Sequence, residues 1–399
     1  MRVLCTFFAG GGLGHFLPLV PVAAALRDAG HTVAFAAPVS YAPQIAAAGF
    51  DAVAAGASLM DPALAALRAE QQAQPGTAMR HFTRTRLMAG AFAERMAADL
   101  RELATRWRPD LFVRDASEYG ACLAAEALGL PHAMVIVHIG RGDGHYQEDI
   151  VAPLAARRTA LGLPPDPTLA MLTRYLVLDF APPGYRDPAY PTPPTLHALR
   201  PALPEFAAFG TPPTWLTDLP PRPTVYVGFG SDPSYPQRPA LFAAVLAGLR
   251  DEPLNVVATV GADPEPAGYG PQPPHMRVER FLPLAHLLPR CDLVVCHGGS
   301  GTTLAALAHG LPLVIVPMGA DMPDNAARCE ALGVGRTLAP EDCTPEAVRD
   351  HVRALLADPA YRANAARLRD ATAALPGMER AVELLERLAA QKQPIVAGR

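Results

Sequence analysis

The N-terminal third of the chain alternates short apolar segments with longer segments whose apolar residues recur at helical spacing. Strands are predicted over residues 2–8, 32–36, 111–114 and 133–137. Helices are predicted over residues 16–29, 41–48 and 119–128, and also within the Ala-, Arg- and Met-rich residues 59–107. Such alternation favours a parallel sheet wrapped by helices.

Regularity is lost over residues 140–223, where prolines cluster from Pro182 onwards. Proline fixes φ and lacks a backbone N–H, so the proline cluster is predicted to be an extended connection rather than a central strand. Alternation then resumes, with strands predicted over 224–227, 255–260, 277–281, 293–296 and 313–316. Helices are predicted over 239–249, 302–309, 325–332, 344–356 and 361–375. A last amphipathic helix is predicted over residues 379–390.

These patterns divide the chain into an N-terminal Rossmann-like domain, a proline-rich linker, a second Rossmann-like domain and a C-terminal helix. The predicted boundaries are residues 1–205, 206–223, 224–375 and 376–399. The length of 399 residues agrees with this division, since one hydrophobic core rarely supports more than about 250 to 300 residues. With 50% hydrophobic and 18% charged residues, the chain is predicted to fold rather than to be disordered.

Composition excludes several classes of function. The net charge of −4 gives no general attraction to nucleic acid or to an anionic membrane. Lys392 is the only lysine, which excludes a Walker A loop and an internal lysine for pyridoxal phosphate. The six cysteines form no CxxC pair and are predicted to lie in the core. Because the N-terminus lacks a signal-peptide pattern and no long apolar run follows, a soluble cytoplasmic protein is expected.

The segment over residues 291–317 carries the most informative motif. A predicted buried strand ends at His297, Gly298 and Gly299 follow, and Ser300 is expected to cap the next helix. Backbone N–H groups and the positive end of the helix dipole would then point to one place, which suits a diphosphate. His297, Ser300 and Thr302 would add side-chain donors. The alternative is an ordinary glycine-rich turn without a ligand.

Two further turns are expected at the same edge of the second sheet. The GFGS sequence at residues 228–231 follows the first strand of that lobe, and PMGADMPDN at 317–325 follows another. Open α/β sheets bind ligands at this edge. Asp321, Asp324 and Asn325 could therefore accept hydrogen bonds from sugar hydroxyls, unless Asp321 or Asp324 only caps the following helix.

In the first lobe, a glycine turn over residues 9–16 places His15 just inside a predicted helix, where a neutral imidazole could accept a proton. Asp115 ends a strand and could orient that imidazole as in a catalytic triad. Ser117 and Glu118 are rival partners, and a surface or capping histidine is the alternative for His15. The glycines do not form GxGxxG, because His15 stands at the third glycine position, which disfavours a nicotinamide enzyme. No DxD or HExxH sequence occurs, so no metal is expected.

The blocks over residues 9–38, 108–133 and 278–335 resemble the family 1 inverting glycosyltransferases of the GT-B fold that decorate actinomycete antibiotics. The resemblance implies an α/β fold of two doubly wound Rossmann-like lobes whose parallel sheets face each other across a cleft. It also implies that the C-terminal lobe holds a sugar nucleotide, that the N-terminal lobe holds an aglycone and that the last helix crosses back to the first lobe.

The resemblance further implies roles for individual residues. His15 would be the general base and Asp115 its partner. Backbone near Leu282 would meet the pyrimidine base. The diphosphate would be held by Ser231, His297, Gly299, Ser300, Gly301 and Thr302.

One departure from the family concerns the sugar. Relatives often carry Asp followed by Gln after the last strand, whereas Asp321 is followed here by Met322. A buried sugar hydroxyl left unpaired costs about 1 to 3 kcal/mol, so a deoxysugar from a TDP donor is expected. The predicted function is therefore inverting, metal-independent transfer of a deoxysugar to an apolar natural product.

The alternatives are a sugar-nucleotide epimerase of the same fold and a non-catalytic activator that binds a nucleotide sugar. The sequence also leaves a homodimer open. An apolar acceptor pocket is suggested for a group of residues that could equally belong to the core: Phe82, Met88, Phe92, His138 and Tyr146.

Overall fold

A computed structural model of the chain describes residues 1–10, 12–139, 147–202, 213–230, 235, 238–261 and 265–398. The chain divides into two compact units. Unit 1 comprises Met1–Phe180, Pro188–Phe206 and Pro376–Arg399, and unit 2 comprises Ala181–Asp187 and Ala207–Leu375.

Among its described residues, unit 1 is built on a seven-stranded parallel sheet of order β3-β2-β1-β4-β5-β6-β7. Its strands are β1 (Arg2–Thr6), β2 (Thr32–Ala37), β3 (Asp51–Ala54), β4 (Leu111–Asp115), β5 (His132–Val135), β6 (Leu176–Asp179) and β7 (Leu196–Ala198). The central strands β4 and β5 are buried on both faces, as expected when helices cover both sides of a parallel sheet. β1 and β4 pair with Val3 opposite Leu111 and Thr6 opposite Arg114. Strand order reverses between these two strands.

The helices of unit 1 are α1 (Leu13–Phe16), α2 (Val20–Asp28), α3 (Ala42–Ala47), α4 (Ala65–Gln72), α5 (Gly76–Phe82), α6 (Ala93–Trp107), α7 (Gly120–Leu128) and α8 (Gln147–Ala160). A π-helical segment, Thr83–Phe92, joins α5 to α6. α6 buries one face, with Met96, Leu100 and Leu103 at helical spacing. It ends at Arg108, which adopts a left-handed conformation before Pro109.

Unit 2 contains, over the described ranges, a six-stranded parallel sheet of order β10-β9-β8-β11-β12-β13. Its strands are β8 (Thr224–Gly228), β9 (Asn255–Thr259), β10 (Met276–Glu279), β11 (Leu293–Cys296), β12 (Leu313–Ile315) and β13 (Gly335–Thr337). Its helices are α9 (Arg238–Leu249), α10 (Leu284–Leu287), α11 (Ser300–Ala308), α12 (Met322–Ala331), α13 (Pro345–Ala357) and α14 (Pro359–Ala373). Strand order reverses between β8 and β11.

The last helix, α15 (Met378–Gln391), belongs to unit 1, where it packs against α2 and β6. Its apolar face, which includes Leu384, Leu385 and Leu388, is fully buried. On its polar face Glu386 accepts a hydrogen bond from His31, with Nε2 and Oε1 2.9 Å apart.

The predicted α/β architecture of two parallel-sheet lobes is confirmed, and several elements were missed. α8, β6 and β7 lie within residues 140–223, for which the sequence pattern predicts no regular structure. β7 is three residues long and forms the edge of its sheet among prolines, the position in which prolines are tolerated. β3 and β13 are also too short to produce a periodic signal. Within the described ranges, every helix is too short or too polar to cross a lipid bilayer.

Candidate active site

His15 and Asp115 meet at the point where strand order reverses in unit 1. His15 follows β1 on the short helix α1, and Asp115 is the last residue of β4, the neighbour of β1. Nδ1 of His15 lies 3.1 Å from Oδ2 of Asp115. The His15 side chain is 13% exposed and the Asp115 side chain is fully buried. Residues a hundred positions apart are thus joined at the edge where open α/β sheets bind ligands.

The Asp115 carboxylate is surrounded by donors. Oδ2 also accepts from the N–H of Phe8 at 2.6 Å, and Oδ1 accepts from the N–H groups of Ser117 at 2.5 Å and Glu118 at 3.0 Å. Burial alone would raise the pKa of this carboxyl. The charge and hydrogen bond of His15, together with the backbone donors, outweigh burial and lower the pKa below its usual value. Asp115 is therefore an ionised partner for an imidazole.

The two rival partners of His15 face elsewhere. The Glu118 carboxylate accepts from the Thr6 hydroxyl at 3.0 Å and from the N–H groups of Gly120 at 2.7 Å and Ala121 at 2.8 Å. Glu118 thus accepts hydrogen bonds from backbone N–H groups at the N-terminus of α7, which have no acceptor within the helix. Burial, more than the neighbouring Asp115 charge, raises the pKa of Glu118 to about 7. Ser117 lies with its hydroxyl 3.5 Å from Nε2 of His138.

Aromatic rings surround His15. Phe8 and His138 each meet its ring edge to face, with centroids 5.5 Å and 5.3 Å away. Phe8 in turn packs against Phe92 at 5.2 Å. Phe92 is buried in a small apolar cluster with Phe8, Ala57, Leu64 and Leu87, while Phe82 and Met88 are partly buried against it. Tyr146, the remaining residue of the suggested acceptor pocket, lies outside the described residues.

In unit 2 the turn after β11 lies beside the turn after β8, since Cys296 pairs with Gly228. Gly298 has a φ of +83°, which a residue with a Cβ rarely adopts. A Cβ atom on Gly299 would stand 2.5 Å from Nε2 of His297, and one on Gly230 would stand 2.9 Å from the same atom. The imidazole of His297 therefore fills the space that both glycines leave. Ser231 lies outside the described residues.

The helix that follows this turn begins differently from the sequence-based expectation. Gly299, not Ser300, is the N-cap residue of α11. The Ser300 hydroxyl instead donates to Oδ2 of Asp321 at 2.6 Å, because α12 begins close to the start of α11. The first helical bond runs from the N–H of Thr303 to the carbonyl of Gly299. The N–H groups of Ser300, Gly301 and Thr302 precede that bond and are not used by the helix.

Asn325 connects the two helix starts. It is fully buried, and its Nδ2 donates to the carbonyl of Gly298 at 2.9 Å, to the Ser300 hydroxyl at 3.2 Å and to Oδ2 of Asp321 at 3.1 Å. Asp321 is the N-cap residue of α12 but makes no side-chain capping bond. Its carboxylate is directed to Ser300 and Asn325, so the capping alternative does not hold for it.

The remaining predicted donor-site residues are largely buried. Met322 is 5% exposed, and the N–H of Met318 donates to its sulfur at 3.4 Å. Leu282, in the connection between β10 and α10, is 7% exposed. Over the described residues, no group of three His, Cys, Asp or Glu side chains is arranged to hold a metal ion.

Sequence reasoning missed Arg114. This fully buried arginine binds the backbone of the turn that carries Asp115 and Glu118. The available signal was a charged residue next to the end of an otherwise apolar buried strand.

Comparison with known proteins decides the family. A model of the N-terminal domain of proteins like erythromycin biosynthesis protein CIII matches residues 24–188, and a model of the C-terminal domain of the same proteins matches residues 243–388. The chain is 31% identical to a 10-deoxymethynolide desosaminyltransferase of Streptomyces venezuelae, over 98% of each chain. The protein belongs to the erythromycin CIII-like glycosyltransferases.

Other relatives of this CIII-like glycosyltransferase agree in function class and fold. It is 30% identical to an aclacinomycin-T 2-deoxy-L-fucose transferase of Streptomyces galilaeus, over 98% of this chain and 97% of the relative. It also resembles the crystal structure of the glycosyltransferase VinC in complex with dTDP, with a TM-score of 0.81 and 30% identity over 98% of this chain and all of that one. The CIII-like glycosyltransferase thus has the GT-B fold of antibiotic glycosyltransferases, as the sequence resemblance predicted.

Proposed function

We propose that the protein transfers a deoxysugar from a TDP-sugar to an apolar, antibiotic-type aglycone, with inversion at the anomeric carbon and without a metal ion. The observation that carries the proposal is the 3.1 Å contact between Nδ1 of His15 and Oδ2 of Asp115. It supports an imidazole oriented by an ionised carboxylate, which is the arrangement of a general base.

In the proposed reaction, Nδ1 of His15 donates to Asp115 and Nε2 takes the proton of the acceptor hydroxyl. The acceptor oxygen forms a bond to the anomeric carbon from the face opposite the diphosphate. The bond between that carbon and the phosphate oxygen breaks, and its electron pair leaves with TDP. Asp115 stabilises the imidazolium that forms. Because Asp115 stays ionised, its charge is available for this step.

The donor diphosphate is assigned to the turn after β11. The N–H groups of Ser300, Gly301 and Thr302 and the positive end of α11 suit a doubly charged leaving group. His297, held between Gly230 and Gly299, supports the same assignment as a side-chain donor. Ser231, which follows the adjacent turn, is proposed to contact the diphosphate as well, and the backbone near Leu282 to contact the base.

The sugar is assigned to the network at the starts of α11 and α12. Asp321 supplies a carboxylate, whereas the sulfur of Met322 accepts an N–H within the loop and offers no donor to a hydroxyl. Support for a deoxysugar also comes from the relative named as a 2-deoxy-L-fucose transferase. Support for a TDP donor comes from VinC, whose structure is described as a complex with dTDP.

The test is a transfer assay with purified protein, a panel of TDP-6-deoxyhexoses and apolar polyketide aglycones, analysed by mass spectrometry. Transfer is expected in the presence of a chelator, with inverted configuration in the product. UDP-glucose serves as the competing donor, and better turnover with it would contradict the deoxysugar assignment. Incubation with donor alone tests the epimerase alternative, because an epimerase would convert the donor without acceptor. Binding of donor without any transfer would favour the non-catalytic alternative.

A further inference from the structure

Arg114 is an arginine buried beneath the turn that carries Asp115. Its side chain is fully inaccessible to solvent. Nη1 donates to the carbonyls of Asp115 at 3.0 Å, Ala116 at 3.4 Å and Glu118 at 3.4 Å. Nη2 donates to the carbonyl of Leu172 at 2.6 Å. One guanidinium therefore binds three carbonyls of a single turn and anchors them to a second segment of unit 1.

The hydrogen-bond partners of Arg114 are unusual for a buried charged side chain. Among the described residues no carboxylate forms an ion pair with Arg114; Nη1 and Nη2 bind main-chain carbonyls, and the buried Nε has no hydrogen-bond partner. Taking a guanidinium out of water is costly unless its hydrogen bonds are well made. The planar fork of arginine can bind several carbonyls in fixed directions, which the single ammonium of lysine cannot do. The geometry of the turn is therefore tied to the identity of this side chain.

The backbone N–H groups of the same turn bind the Asp115 carboxylate. Those of Ser117 and Glu118 donate to Oδ1 of Asp115, and Oδ2 of Asp115 contacts His15. The carbonyls of the turn are thus bound by Arg114 and its amides bind Asp115. A shift of the turn would move the carboxylate away from Nδ1 of His15.

We propose that Arg114 is a positioning residue for the His15–Asp115 pair, acting through the turn of residues 115–118. This inference rests on the proposed function, in which His15 is the base. Errors of about 1 Å in the placement of a catalytic group can cost about 100-fold in rate. Replacing the Arg114 guanidinium should therefore lower turnover, although Arg114 is not assigned to contact the substrate.

The test compares Arg114→Lys with Arg158→Lys. Arg158 is a control for the loss of a buried arginine, since it is 2% exposed, lies in the same unit and binds the carbonyl of Pro164, the sulfur of Met171 and the carboxylate of Glu126 rather than the turn. Both variants should lose stability, as thermal unfolding will show. At a temperature where both are folded, Arg114→Lys should lower kcat about 10-fold or more with an unchanged KM for the TDP-sugar. Arg158→Lys should keep the wild-type kcat.

A double-mutant cycle with Asp115→Asn separates positioning from a general structural effect. If Arg114 acts through Asp115, Arg114→Lys causes little further loss of kcat in the Asp115→Asn background. The rising limb of kcat/KM against pH should also move to lower pH in Arg114→Lys, because a displaced carboxylate favours the protonated imidazole less. Additive losses, or an unshifted profile, would overturn the proposal.

Arg114→Gln is a second variant in case the lysine variant does not fold, since a neutral amide keeps two N–H donors and removes the buried charge. Wild-type kcat in a folded Arg114→Gln protein would also overturn the proposal. Different results would contradict the hypothesis that His15 is the base and the hypothesis that Arg114 positions the pair. If His15→Ala and Asp115→Asn retain turnover, the proposed base is wrong. If these two variants lose turnover while Arg114→Lys behaves as Arg158→Lys does, only the role of Arg114 is wrong.

Discussion

The imidazole of His297 occupies the space in which a Cβ atom on Gly299 would stand, 2.5 Å from Nε2. Gly299 is also the N-cap residue of α11, so the ring and the helix start are fixed by one residue. Any side chain at this position must displace the imidazole. The backbone of Gly299, with φ −61° and ψ 142°, is one that any residue can adopt, so it is the missing side chain that sets the position of the His297 donor.

Gly299→Ala is accordingly expected to weaken TDP binding by about 10-fold or more, since a hydrogen bond to a charged group contributes roughly 1.5 to 3 kcal/mol. Isothermal titration calorimetry measures the effect. Gly268→Ala is the control, because Gly268 lies in unit 2 away from the turn after β11 and a Cβ atom on it meets no neighbouring atom within 4 Å. Equal affinity of both variants for TDP would show that His297 does not contact the diphosphate.

His15→Ala is expected to lower kcat by about 100-fold or more, the typical contribution of a general base. Binding of TDP should be unchanged in calorimetry, because the diphosphate is assigned to residues of unit 2. His31→Ala is a suitable control, since His31 contacts Glu386 on α15 and not Asp115. Turnover of His15→Ala at the wild-type rate would remove His15 from the mechanism.

Glu118 is expected to make stability depend on pH. Burial raises the pKa of Glu118 from 4.5 to about 7, so between these values the folded protein binds a proton that the unfolded chain releases. This contribution to stability is complete below pH 4.5 and is lost as the pH rises through 7, by about 3 kcal/mol.

Glu118→Gln, which imitates the protonated acid, should lack this dependence. Chemical denaturation of both proteins between pH 5 and pH 8 measures it, and the variant should gain stability relative to the wild type as the pH rises. A constant difference in the free energy of unfolding over this range would show that Glu118 has an ordinary pKa.

Phe92→Ala is expected to reduce the free energy of unfolding by roughly 3 to 5 kcal/mol, because it opens a cavity in the cluster that includes Phe8 and Leu87. Phe82→Ala should cost less than half as much, since Phe82 is only partly buried against that cluster. Urea denaturation of the two variants makes the comparison. Equal losses would mean that Phe82 is as much a core residue as Phe92, and would weaken its assignment to an acceptor pocket.

The sequence predicted the parts of the fold that depend on local patterns. Helices such as α6, α13 and α15 have one buried face of regular spacing, and β11 is a continuous apolar run. β7 could not be predicted because three residues have no measurable period, and its pairing with β6 is a tertiary contact. The N-cap of α11 was predicted one residue too late, at Ser300 rather than Gly299, because Ser300 contacts Asp321, and a residue so distant in sequence does not affect local propensity.

The contact between His15 and Asp115 was also predictable from the sequence. His15 and Asp115 stood out because His15 lies in the helix start that follows the first strand and Asp115 ends another strand, and the strand order brings the two together. Arg114 did not stand out, because its role depends on the direction of three carbonyls in a turn. The sequence favoured Asp115 as the partner of His15 without excluding Ser117 and Glu118, since the three residues belong to one turn and only the path of the backbone distinguishes them.

The position of α15 affects the order in which the protein can assemble during synthesis. All segments of unit 2 precede Pro376 in the chain, whereas unit 1 requires the residues after it. Unit 1 therefore keeps the apolar surface of α2 and β6 exposed until the residues after Pro376 have been synthesised and can cover it. The lobe whose synthesis begins first is thus the last that can be finished.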